Sequence, residues 1–181
     1  MSADTGQPSK GPNTFRKEIR MKRIIVTSLM VGLLCTVTAS ASKRPAGFHG
    51  IGPRVGFTVN PDQIHVGGHI DFGDLAGNLM MLPNLEIGFG DNLTTIAPSF
   101  ELDYRFRSDW GAWTPYLGGG AGPVFYSVKH GGSTTEFGLY LQFGIGKGSS
   151  QSESGHFFIE GKLGLADAPD FKATVGWTFG H

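Results

Sequence analysis

From residue 48 onward, apolar and polar residues take turns along the chain, and this period of two recurs in segment after segment. Ile64, Val66, Gly68, Ile70 and Phe72 alternate with Gln63, His65, Gly67, His69 and Asp71. Phe100, Leu102, Tyr104 and Phe106 alternate with Glu101, Asp103, Arg105 and Arg107. The pattern returns in Phe137–Ile145, Phe157–Leu165 and Phe171–Phe179. Successive side chains of an extended strand point to opposite faces, so each segment reads as a strand with one apolar and one polar face. Three weaker segments, Ile51–Val59, Leu82–Gly90 and Trp113–Ser127, bring the number to eight. Between them lie clusters of turn formers: Asn60-Pro61-Asp62, Gly73–Asn78, Gly90-Asp91-Asn92, Ser108–Gly111, His130-Gly131-Gly132, Gly148–Gly155 and Ala166–Asp170. Evenly spaced strands joined by short turns predict an all-β fold, a closed antiparallel up-and-down barrel of about eight strands occupying residues 42–181. Pro98 and Pro123 fall inside expected strands. Neither can donate to a ladder, so bulges or shorter strands are expected there.

The 29 glycines and 12% aromatic content agree with crowded β-structure. A net charge of zero, without clustered Lys and Arg after residue 41, lacks the electrostatic footprint of a nucleic-acid binder. The N-terminal region reads differently. Arg16, Lys17, Arg20, Lys22 and Arg23 precede an apolar run from Ile24 to Val37 that ends in Ala39-Ser40-Ala41. The run is shorter than the roughly 20 residues a membrane helix needs, and its flanks are those of a cleavable signal peptide. Residues 1–41 are therefore expected to be an N-terminal extension plus a signal peptide cut after Ala41, with Met21 as an alternative start. Cys35, the only cysteine, would leave with it. Leu34 before it is not the small residue that lipoprotein processing requires.

An amphipathic strand has two opposite homes. In a soluble barrel the apolar face encloses a ligand; in an outer-membrane barrel it meets lipid and the polar face lines the interior. Three features favour the second. The polar faces are rich in glycine, which suits a narrow lumen. Their charges nearly balance, Arg54, Arg105, Arg107, Lys162 and Lys172 standing against Asp71, Glu86, Glu101, Asp103, Glu136 and Glu160, a set able to pair inside. The last expected strand carries alternating aromatics, Phe171, Trp177 and Phe179, as an aromatic girdle at a membrane boundary would.

With these features the region from Phe48 to the end resembles the small eight-stranded outer-membrane barrels of the OmpA type and OmpX type. The stretch Trp113-Thr114-Pro115-Tyr116-Leu117-Gly118-Gly119-Gly120-Ala121-Gly122 looks like the fifth strand of that group. The resemblance implies a transmembrane barrel in the bacterial outer membrane, surrounded by lipid and lipopolysaccharide, inserted by the barrel-insertion machinery, and monomeric. Two departures stand out. The family's terminal aromatic is usually the last residue, whereas Gly180 and His181 follow Phe179 here. No second domain is expected after the barrel, so the peptidoglycan-binding role of longer OmpA-type proteins does not carry over.

Candidate chemistry is sparse. His65, His69 and Asp71 share a face, but residues i and i+4 of a strand lie about 13 Å apart, too far for one coordination sphere. No metal or other cofactor is expected. His130, Ser133 and Glu136 are the residue types of an activated nucleophile, such as a lipid A-modifying enzyme would need, although His-Gly-Gly-Ser also makes an ordinary polar turn. Enzymatic activity is not expected. Eight strands leave an interior that side chains can fill. The expected role is thus structural, in membrane integrity, with a plugged, salt-bridged lumen and at most a narrow, porin-like pore. The alternatives are a secreted or periplasmic barrel around a small apolar ligand, and a lipid-modifying enzyme.

Overall fold

The computed structural model describes residues 44–107, 110–147 and 155–180. The expected signal peptide with Cys35, and most of the expected turn at 148–155, lie outside the described residues.

Among the described residues, nine strands follow in order: β1 (Gly50–Val59), β2 (Gln63–Asp71), β3 (Asp74–Ala76), β4 (Leu79–Phe89), β5 (Leu93–Arg105), β6 (Trp113–Val128), β7 (Ser133–Lys147), β8 (His156–Ala166) and β9 (Phe171–Gly180). All strand pairings are antiparallel, and the order β2-β1-β9-β8-β7-β6-β5-β4 is closed by β2 against β4. The result is an eight-stranded antiparallel barrel. Short β3 folds back on the start of β4 through Gly77-Asn78, and Gly77 takes the positive φ that such a two-residue hairpin demands. In the sequence Gly73–Asn78 reads as a plain turn, because β3 is too short to show a period. Followed once round the barrel, the registers advance by about ten residues, the stagger that goes with strands tilted to the axis.

Pro98 and Pro123 correct one expectation. Neither a bulge nor a shortened strand accommodates them: β5 and β6 are 13 and 16 residues long, and their register is the same on both sides of the prolines. The two stand opposite each other in that register, between Ile96↔Phe125 and Phe100↔Ala121. Their missing N–H groups would have exchanged bonds across the same seam, so one gap absorbs both. On their other sides both stay in register, Pro98 with Leu85 and Pro123 with Phe137.

The distribution of side chains is inverted relative to a water-soluble core. Among the described residues, seventeen buried residues are polar or charged, against five buried large apolar ones: Met80, Leu82, Tyr116, Val124 and Phe158. The apolar faces point outward on every barrel strand, with Phe57, Ile64, Leu85, Phe100, Phe143 and Val175 among those exposed. Phe100 is 64% exposed, whereas Glu101 beside it is 0% exposed. The lipocalin-like arrangement, which would put Phe100, Tyr104 and Phe106 inside, is not the one observed.

Candidate functional site

The barrel interior is the only place where the chain gathers reactive groups in quantity among the described residues. At mid-height six charges converge from five strands: Arg54 (β1), Glu86 (β4), Glu101 (β5), Glu160 and Lys162 (β8), and Lys172 (β9). Arg54 Nη1 lies 3.2 Å from Glu86 Oε1, 3.2 Å from Glu101 Oε1 and 3.5 Å from Glu160 Oε1. Lys162 Nζ reaches the same three carboxylates at 3.2, 2.5 and 3.3 Å. Lys172 pairs with the other oxygen of Glu86. Two tyrosines complete the layer: Tyr116 donates to Glu160 Oε2 at 3.0 Å and Tyr140 to Glu101 Oε1 at 2.9 Å. Three cations thus meet three carboxylates, and all but the half-buried Lys172 are out of water. In so apolar a setting each charge depends on its partners, because an unmatched ion is costly to bury.

Glycines on the inner face make room for this layer. A side chain at Gly120 would run into the Tyr140 ring, and one at Gly144 into the Tyr116 ring. A side chain at Gly176 would strike Phe158, whose face takes the Arg54 guanidinium at 5.5 Å. Aromatic rings occupy the missing side-chain volumes, and their hydroxyls are thereby aimed at the carboxylates.

The other charged residues singled out from the sequence divide. Asp71 pairs with Arg44 at 2.6 Å, with His156 Nε2 3.8 Å away, and Arg105 pairs with Asp74; both pairs lie at the end where the chain enters and leaves the barrel. Asp103 accepts from Gln142 Nε2 at 2.5 Å. Arg107 is exposed beyond the end of β5. Glu136 has the parity of an inward residue, yet it too is exposed, because the β6–β7 hairpin rises above its neighbour: β7 pairs with β8 only from Leu139 onward. Alternation fixes the side of a strand and says nothing of height in the barrel. Trp177 and Phe179 lie outward on β9 with ring centroids 6.4 Å apart, and Phe157 stands 6.3 Å from Trp177. Phe171, at the other end of β9, packs 6.4 Å from Phe57.

His65 and His69 point inward as separate residues. His65 is hydrogen-bonded to Thr58 and Thr174 at 3.1 and 3.0 Å, and His69 to Thr178 at 2.7 Å. The carboxylates of Glu86, Glu101 and Glu160 come within 4.8 Å of one another, as metal ligands do, but Arg54 and Lys162 each reach all three and supply the positive charge there. His130, Ser133 and Glu136 are all exposed; Ser133 and Glu136, three apart on β7, project from opposite faces. Tyr116, Tyr140 and Gln142 were not among the candidates, being uncharged. Parity alone marked Tyr140 and Gln142 as inward.

The ionic layer divides the lumen in two. On the side of the chain ends lies a cavity of about 280 Å³, and on the other side one of about 40 Å³. Both are bounded by members of the layer, Arg54 and Glu160 on one side, Glu86, Lys162 and Lys172 on the other. No protein-family model matches the sequence, and no curated protein is similar to it. What fold and interior define is therefore a class: a closed eight-stranded antiparallel barrel, apolar outside and salt-bridged within.

Proposed function

We propose that this chain is an integral outer-membrane barrel protein with a structural role in envelope integrity, its lumen closed by the ionic layer. The observation that carries the reading is the inversion of faces. Twenty-seven large hydrophobic residues are exposed among the described residues. Soluble monomers rarely expose contiguous apolar patches beyond a few hundred Å². Lipid removes that cost, and a closed barrel meets the further condition that backbone groups be satisfied within the sheet. Strand lengths agree: β1, β2, β4, β8 and β9 have 9 to 11 residues, the length a tilted strand needs to cross.

In this reading the protein is a monomer in lipid and lipopolysaccharide, placed there by the barrel-insertion machinery after loss of its signal peptide, with no nucleic-acid partner, cofactor or catalytic step. The ionic layer limits conduction to a narrow leak at most. Membrane fractionation, followed by electrophoresis with and without boiling, tests it. Retention in the outer membrane with a heat-dependent mobility shift is expected. Recovery as a soluble periplasmic protein would refute it.

A further inference from the structure

The larger of the two cavities is a cup with three tiers. Its rim carries Arg44, Arg105 and His156. Its wall is largely apolar, with Met80, Leu82, Tyr116 and Phe158. Its floor is the Arg54–Glu160 edge of the ionic layer. At roughly 30 Å³ per water, about 280 Å³ holds some nine waters, near the lower bound of small-molecule pockets.

Charge in the cup is arranged asymmetrically. Asp71 and Asp74 are 0% and 2% exposed through their side chains, whereas their partners Arg44 and Arg105 are 12% and 21% exposed. The carboxylates thus sit behind the guanidinium groups, and the cations face the space. Glu160, on the floor, is already engaged by Arg54, Lys162 and Tyr116.

Packing gives a second, independent sign that the space is built in. At the inward glycines Gly52, Gly56, Gly67, Gly118, Gly120, Gly144 and Gly176, an added Cβ would collide with backbone or a ring. Gly146, which lines the cup, is different: a Cβ there meets only Phe157 O, at 3.8 Å, an ordinary contact. Glycine at 146 keeps the cup open although close packing does not require it.

We propose that the cup binds a small amphipathic monoanion, a carboxylate with a short hydrocarbon tail. The carboxylate lies at the rim against Arg44 and Arg105, and the tail lies along Met80, Leu82 and Phe158. A bare inorganic anion would leave that wall unused, and a cationic amphiphile would meet the rim's charge with like charge. The site follows from the lumen geometry and holds wherever the barrel resides.

The test is a titration of the folded full chain, followed by amide chemical shifts, with hexanoate, hexylammonium and acetate in parallel. Saturable shifts at Thr114, Gly146 and Thr178 with hexanoate are expected, with none at Gly88 and Thr95 at the far end, and at least about tenfold weaker responses to the other two probes. Gly146→Leu fills the cup and should abolish the response while the barrel still shows its heat-dependent mobility. Equal responses to hexanoate and hexylammonium, or to hexanoate and acetate, overturn the proposal. So does an undiminished response in folded Gly146→Leu, or no saturable response at all.

Discussion

Replacing Arg54 with methionine removes one of three cations from a layer that holds three carboxylates. Methionine keeps an unbranched apolar stem over Phe158, so the loss is chiefly electrostatic. Glu86, Glu101 and Glu160 would then share Lys162 and Lys172. Glu160 is the carboxylate left worst served, since its remaining cation is Lys162 at 3.3 Å, which also serves Glu86 and Glu101. Removing one member of a buried ionic set typically costs about 3–5 kcal/mol, most of it from the uncompensated charge. Adding Glu160→Gln restores the balance at two against two, and the amide oxygen can still accept from Tyr116. The double variant should therefore lose less than about 2 kcal/mol, giving a coupling of at least ~1 kcal/mol between the sites. The assay is urea unfolding in thin-bilayer vesicles, followed by the heat-sensitive mobility of the folded form. Because the layer is out of water, the loss should change little with added salt. An Arg54→Met barrel within about 1 kcal/mol of the parent would refute the reasoning, as would a double variant whose loss equals the sum of the singles.

Gly120→Ala should destabilise by about 1–3 kcal/mol in the same unfolding assay, since Tyr140 is held by Ser99 and Glu101 and cannot yield to the new methyl group. Phe100→Lys, on the outer face, should cost about 2–4 kcal/mol in a bilayer if that face meets the lipid midplane; an unchanged or improved stability would point to water instead. Ser133→Ala should leave the lipid A mass profile of an expressing strain the same as that of the parent protein. The three tryptophans, Trp110, Trp113 and Trp177, all lie toward the end of the barrel that holds the chain ends, so their fluorescence should be quenched by bromine near the lipid headgroups more than by bromine near the chain tips.

Most of the barrel was legible because period two is a local property. The alternation of Phe100, Leu102, Tyr104 and Phe106 with Glu101, Asp103, Arg105 and Arg107 fixes both a strand and its faces without knowledge of its neighbours. The choice between inside and outside came from composition, since balanced charge and abundant glycine suit a narrow lumen. What stayed hidden depends on register. Glu101 meets Arg54 and Lys162 because of stagger accumulated over several strand pairs, and no single strand records it. Glu136 carries the inward parity and still lies above the rim, since strand length sets height. Met80, Leu82 and Phe158 break the polar inner pattern because they wall a cavity, a feature visible only once the barrel closes.

The facing prolines of β5 and β6 bear on how such a cylinder comes apart. A closed ladder has no terminal strand at which to fray, so opening must begin by breaking bonds between two paired neighbours. Pro98 and Pro123 leave the middle of one seam unlatched, with paired stretches above and below. Local opening free energies follow the bonds that must be broken. The wall therefore carries a built-in line of parting at β5–β6, and amide protons flanking it should exchange before those of the fully paired β4–β5 seam.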